Sequence, residues 1–189
     1  METQFADTLK GSFLIAMPSM RDSIFFQSVI CVCDHTPEGA LGIIINKIHF
    51  SLSGQTIFRE LNMPCKPASE SIHLHIGGPV RSGELYLLHG PPFAWDSTLM
   101  ITESLALSNS MDILQAIALG QGPRFFLISL GCSGWGPGQL DHEMQENVWL
   151  TSPLSEKIIS ETPVENRWGK ALENLGIDPA MLSGAAGHA

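Results

Sequence analysis

Apolar residues in the first two thirds of the chain come in short runs rich in β-branched and aromatic side chains, each closed by glycine, proline or aspartate. Runs of that kind read as strands. GSFLIAM from Gly11, SVICVCD from Ser28 and ALGIIIN from Ala40 are the clearest. Between the last two, HTPEG predicts a tight turn: Pro37 fixes one φ and Gly39 tolerates a positive one. A hairpin from Ser28 to Asn46 follows. Further strands are predicted at IHLHIG, at ELYLLHG, around Thr98 to Leu107, and at RFFLISL from Arg124, ending at Leu130.

A period near 3.6 takes over in other stretches and dominates the end. SGQTIFRELNM places Ile57, Phe58 and Leu61 on one face before Pro64. Ser110 is placed to cap MDILQAIAL, and Leu140, Met144 and Val148 recur every four residues in GQLDHEMQENVWL. TPVENRWGKALENLG predicts a helix with Thr162 as N-cap, Pro163 in the first turn and Glu165 completing a capping box. Its buried stripe is Val164, Trp168, Leu172 and Leu175. Strands interleaved with helices give an α+β class.

Composition narrows the functional classes. A chain of 189 residues predicts one domain, here residues 1–189. Only 15% of residues are charged, against about 25% in an average protein. Nineteen acids against ten Lys and Arg leave a formal net charge of −9, which argues against direct nucleic-acid binding and against anionic membrane surfaces. The N-terminus METQFADTLK is acidic, and no apolar run approaches the roughly 20 residues of a membrane span. The expectation is a soluble cytoplasmic protein. Cys31, Cys33, Cys65 and Cys132 show no C-x-x-C spacing, so free thiols are expected, with neither a metal site nor a cofactor.

Candidate chemistry concentrates in FFLISLGCSGWGPGQLDHE. A strand followed by Gly131, Gly134, Gly136 and Gly138 and then a helix from about Gln139 can offer backbone N–H groups to an anion or a carbonyl oxygen. The P-loop and dinucleotide-binding patterns both fail, because no Lys follows the glycines and their spacing is GxGxG. A nucleophile elbow starts at Gly131-Cys132-Ser133 but meets Trp135 where its last glycine belongs, although His142 and His188 follow Ser133. His73 and His75 alternate onto one strand face, too few for a zinc site. Asn46 and Lys47, at the end of the ALGIII strand, can orient or neutralise a ligand.

Several stretches together, FLIAMPSMRDSIFFQSVICVCDHTPEGALGIIINK, GGPV, ELYLLH, LGCSGWGPGQLDHEMQENVWL and the terminal GHA, resemble the AlgH/YqgE family over essentially the whole chain. Residues matching its pattern are Pro18, His35, Gly42, Asn46, Lys47, Gly77, Gly78, Pro79, His89, Gly131, Trp135, Gly138, Gln139, Leu140 and Trp149. Cys132 departs from it, since family members usually carry an aromatic residue there, commonly Tyr. The resemblance implies cytosolic bacterial proteins without an assigned activity, some labelled transcriptional regulators. It also implies a mixed, largely antiparallel sheet curled into a barrel and flanked by helices.

The leading functional expectation is a non-enzymatic binding or regulatory protein with a small-ligand or protein-partner site. That site is framed by Asn46, Lys47, Gly77, Gly78, Gly134, Trp135, Gly136 and Gln139. The alternative is a hydrolase-like enzyme acting on a small acyl or phosphorylated substrate, with backbone N–H groups stabilising the oxyanion.

Overall fold

The computed structural model describes residues 8–17, 20 and 24–184. Pro18, His188 and the terminal GHA fall outside these residues. Ten strands occur among the described residues: β1 (Ser12–Ala16), β2 (Val29–Thr36), β3 (Gly39–Ile44), β4 (Ile48–Ser53), β5 (His73–Ile76), β6 (Val80–His89), β7 (Thr98–Met100), β8 (Ala106–Ser108), β9 (Phe126–Trp135) and β10 (Trp149–Pro153). They join in one curled sheet of order β10-β1-β2-β3-β9-β6-β8-β7, with β4 and β5 attached through a parallel β5–β9 pair. The other pairs are antiparallel, and the sheet forms a half-barrel. Helices α1 (Gly54–Glu60), α2 (Pro67–Glu70) and α3 (Met111–Ala118) precede β9, and α4 (Gln139–Gln145) follows it. After β10 come α5 (Glu156–Ser160), α6 (Arg167–Glu173) and α7 (Pro179–Gly184).

Strand alternation explains why β1, β2 and β3 read as unbroken apolar runs: both of their faces are covered. Phe13, Ile15, Val29, Cys31 and Ile43 point into the concave cluster, which the C-terminal segment fills with Ile158, Ile159, Ala171 and Leu172. Leu14, Ile30, Val32 and Ile44 point outward, where Leu140 of α4 closes over them beside Trp135 and Trp149. On the convex face of β5, β6 and β9, Leu74, Leu87 and Ile128 pack against Phe58 of α1 and Ile113, Leu114 and Ile117 of α3.

Gly131 resets the alternation within β9. Its φ of +69 inserts a kink that lets Cys132 face the concave side, although Ile128, also even-numbered, faces the convex side. GCSGW is therefore strand and not the loop expected after Leu130. Ser133, Gly134 and Trp135 pair with Gly42, Leu41 and Ala40 of β3, and Cys132 pairs with Val80 of β6. The turn is only Gly136-Pro137-Gly138.

Three other expectations change. The helix through GQLDHEMQENVWL stops at Gln145, Asn147 takes φ +56, and Trp149 opens β10 instead. In TPVENRWG the capping box does not form: Pro163 is extended, Val164–Asn166 is a 3₁₀ turn, and the Thr162 hydroxyl donates to Lys157 O at 3.4 Å. The predicted strand around Thr98 to Leu107 is two short strands, β7 and β8. The predicted hairpin is present as β2 and β3. No helix among the described residues is long and apolar enough to cross a membrane.

Candidate functional site

The residues singled out from the sequence divide into four places. Gly77 and Gly78 stand where the backbone leaves β5, crosses β9 and enters β6. A Cβ on Gly77 would lie 2.2 Å from Gly131 O, and one on Gly78, at φ +151, would lie 2.3 Å from the Cys132 carbonyl. Only glycine lets the chains approach so closely. Gly77 O accepts from Ile44 N–H at 2.9 Å and from the Ser133 hydroxyl at 3.2 Å. The pair builds a crossing, and the Gly77 N–H and carbonyl are both already engaged, the N–H with Leu130 O at 2.9 Å.

Trp135, Gly136 and Gln139 form the second place. Gln139 Oε1 accepts from Gly136 N–H at 3.0 Å, and its amide donates to Glu143 Oε1 at 2.9 Å. Glu143 Oε2 accepts from the indoles of Trp135 at 2.9 Å and Trp149 at 2.8 Å. The carboxylate thus clamps α4 to β9 and β10. The turn offers no unpaired N–H of Gly136 to an anion, so the anion cradle expected there is already filled by the chain's own glutamine.

Asn46 and Lys47 lie elsewhere. Asn46 Oδ1 accepts from Val29 N–H at 2.8 Å and its amide donates to Gln27 O at 2.8 Å. Lys47 Nζ donates to Phe26 O at 2.9 Å, and burial lowers its pKa. Both line a mostly apolar cavity of about 640 Å³ with Ile48, Phe50, Ile76 and Val164. No glycine of β9 borders it. The expected single site is therefore not brought together.

Gly134 does border open space. A cleft of about 460 Å³ lies on the concave face, lined by Leu41, Val80, Tyr86, Leu99, Leu107, Cys132 and Gly134, with Arg81, Ser97 and Asn109 at its exposed rim. Strand register accounts for this grouping. Leu41 pairs with Gly134, Val80 with Cys132, and Leu99 with Leu107, and directly paired residues share a face. The Tyr86 hydroxyl donates to Glu84 Oε2 at 2.9 Å, and Arg81 Nη1 lies 3.6 Å from the same oxygen. Burial, then the Glu84 bond, raises the Tyr86 pKa, so the phenol keeps its proton and acts as a donor. Arg81 adopts φ +49, which is uncommon for a non-glycine residue.

The nucleophile candidates fare poorly. Ser133 is fully buried and spent on Gly77 O. Burial raises the Cys132 pKa, which keeps the thiol protonated. All four cysteines are free. His89 and Ser108 have the spacing of a base and a hydroxyl, with Nε2 2.9 Å from Oγ and Nδ1 2.7 Å from Gly90 O. Ser108 borders the cleft but is 1% exposed and also meets the Thr98 hydroxyl at 3.0 Å. His89 is fully buried on the side of Leu87, with which Ser108 pairs. This is a satisfied polar chain within the fold. His75 faces Arg167, and no cluster of three metal-ligating side chains occurs among the described residues.

Sequence reasoning missed Arg81, Glu84, Tyr86, Leu41 and Leu99. The available signal was the alternation of ELYLLH, which sets Glu84, Tyr86 and Leu88 on one face.

A family model described as AlgH-like matches residues 13–180. The chain belongs to this family. Its AlgH-like relatives include a UPF0301 protein of Desulforapulum autotrophicum, 46% identical over 177 residues and covering 94% of both chains. Another, from Rhodospirillum rubrum, is 42% identical over 181 residues, covering 96% of this chain and 94% of its own. Among solved structures, the solution structure of the AlgH protein from Pseudomonas aeruginosa superposes with a TM-score of 0.81 at 38% identity over 100% of both chains. A crystal structure of a protein from Corynebacterium diphtheriae shares the fold, with a TM-score of 0.70 at 19% identity over 96% of this chain and 92% of that one.

Proposed function

We propose that this AlgH-like protein is a cytoplasmic binding module with a regulatory rather than catalytic role, and that the concave cleft over Gly134 holds a small ligand. One observation carries the reading. Gly134 is an exposed glycine in an otherwise packed strand, in ordinary extended conformation, and a Cβ there would meet only the Val80 side chain, at 3.5 Å. The space left open, about 460 Å³, falls in the range of roughly 300–1,000 Å³ usual for small-ligand sites. Its apolar walls and a few polar rim groups are the usual division between affinity and orientation. Enzyme chemistry on acyl or phosphorylated substrates is the weaker reading, because Ser133 and Ser108 are buried and engaged. Direct contact with duplex DNA is not part of the proposed role, since a net charge of −9 leaves little to neutralise phosphates.

The test is a thermal-shift screen of small amphipathic compounds on wild type and Gly134→Leu. Leucine fills the cleft without backbone strain. Compounds that raise the wild-type melting temperature should leave the variant unmoved, and equal shifts in both proteins would refute the assignment.

A further inference from the structure

We infer that the cleft takes a carboxylate carrying an apolar tail, and that Glu84 occupies the carboxylate's place while the cleft is empty. The inference rests on reading the cleft as a ligand site and names the chemistry of its occupant. The Tyr86 hydroxyl and the Arg81 guanidinium converge on one oxygen, Glu84 Oε2, at 2.9 and 3.6 Å. A neutral donor and a cation aimed at one point form a carboxylate-binding pair. Both donors, Arg81 and Tyr86, line the cleft whose walls are Leu41, Val80, Leu99 and Leu107, so they stand where they can meet the polar end of an amphipathic acid.

Glu84 can leave. Its side chain is 51% exposed and that of Arg81 is 63% exposed, so the pair is held no more firmly than an ordinary surface ion pair. Residues 81–84 lie in the register irregularity between Val80 and Leu85, so this stretch of β6 is outside the ladder with β9. Turning Glu84 out to water costs no ladder hydrogen bond to β9. Tyr86 and Arg81 are fixed differently. Tyr86 is buried at 4% exposure in the concave core, whereas Arg81 sits on backbone at φ +49. The donor pair thus has a stable member and an adjustable one, and the internal carboxylate competes with the incoming one for both.

The competition has a measurable sign. Hexanoate and its neutral isostere hexanamide are titrated calorimetrically into wild type, Glu84→Gln, Arg81→Gln, Tyr86→Phe and Gly134→Leu, with the melting temperature of each variant taken as a fold check. Glu84→Gln should bind hexanoate more tightly than wild type, by roughly threefold to fivefold, the worth of an exposed ion pair. Arg81→Gln should bind it about tenfold more weakly, and Tyr86→Phe more weakly than wild type. Hexanamide should not respond to Glu84→Gln. Unchanged or weaker hexanoate binding by Glu84→Gln would overturn the inference. So would hexanamide binding as tightly as hexanoate with both abolished by Gly134→Leu, a result that keeps the cleft as a site and removes the carboxylate. Binding of neither compound to wild type, or binding indifferent to Gly134→Leu, would remove the cleft reading itself.

Discussion

Arg167 and His75 show how one residue pair can make stability depend on pH without any catalytic role. Arg167, 8% exposed, donates to the carbonyls of Ile45, of Thr162 at 3.0 Å and of Ile159 at 2.7 Å, and so ties the C-terminal helices to the end of β3. His75 Nε2 is 3.4 Å from this guanidinium. Burial and then the cation hold the His75 pKa down at about 4, against an ordinary value of 6.5. The unfolded chain therefore takes up a proton on His75 that the folded chain refuses. This contribution is fully present above pH 6.5 and drains away as pH falls toward 4. At 1.36 kcal/mol per unit the ceiling is about 3 kcal/mol. His75→Gln should flatten the acid limb of a urea-denaturation series between pH 7 and pH 4 relative to wild type. A variant that keeps the full slope would assign that slope to other groups.

At the scale of elements, β9 decides most of the architecture and divides the glycines into two kinds. Gly77, Gly78 and Gly131 let β5, β6 and β9 cross at backbone contact distance, whereas Gly134 leaves room. Gly78→Ala should cost about 3 kcal/mol or more, because strain at a positive φ adds to a backbone overlap at 2.3 Å. Gly134→Ala should stay within about 0.5 kcal/mol of wild type. Equal losses in denaturant titrations would contradict this division. The strands β1, β2, β3, β5 and β6 were legible from their apolar runs, and α1 and α3 from their period. GCSGW was not, since glycine spacing reads alike in a loop and in a strand that other chains cross closely. Trp149 belongs to β10 because the helix ends at Gln145 and Asn147 turns the chain at φ +56, and a four-residue recurrence through Val148 concealed that stop. The cleft was hidden for a different reason: its residues come from β3, β6, β7, β8 and β9, and only strand register brings them together.

At the scale of the whole molecule, two of the cavities among the described residues differ in chemistry. The C-terminal helices fill much of the concave face, and what stays open above β9 is the cleft with its Arg81–Tyr86 donor pair. The larger cavity, beside Asn46, Lys47 and the fully exposed Phe50, is more apolar, and its lysine is already engaged with Phe26 O. The first is the better ligand site because two of its lining groups, Arg81 and Tyr86, converge on a single point. The most direct test is a ¹H–¹⁵N correlation titration of wild type with hexanoate. Saturable shifts should centre on Leu41, Arg81, Tyr86, Leu107 and Gly134. Shifts centred on Lys47, Phe50, Ile76 and Val164, or none that saturate, would contradict it.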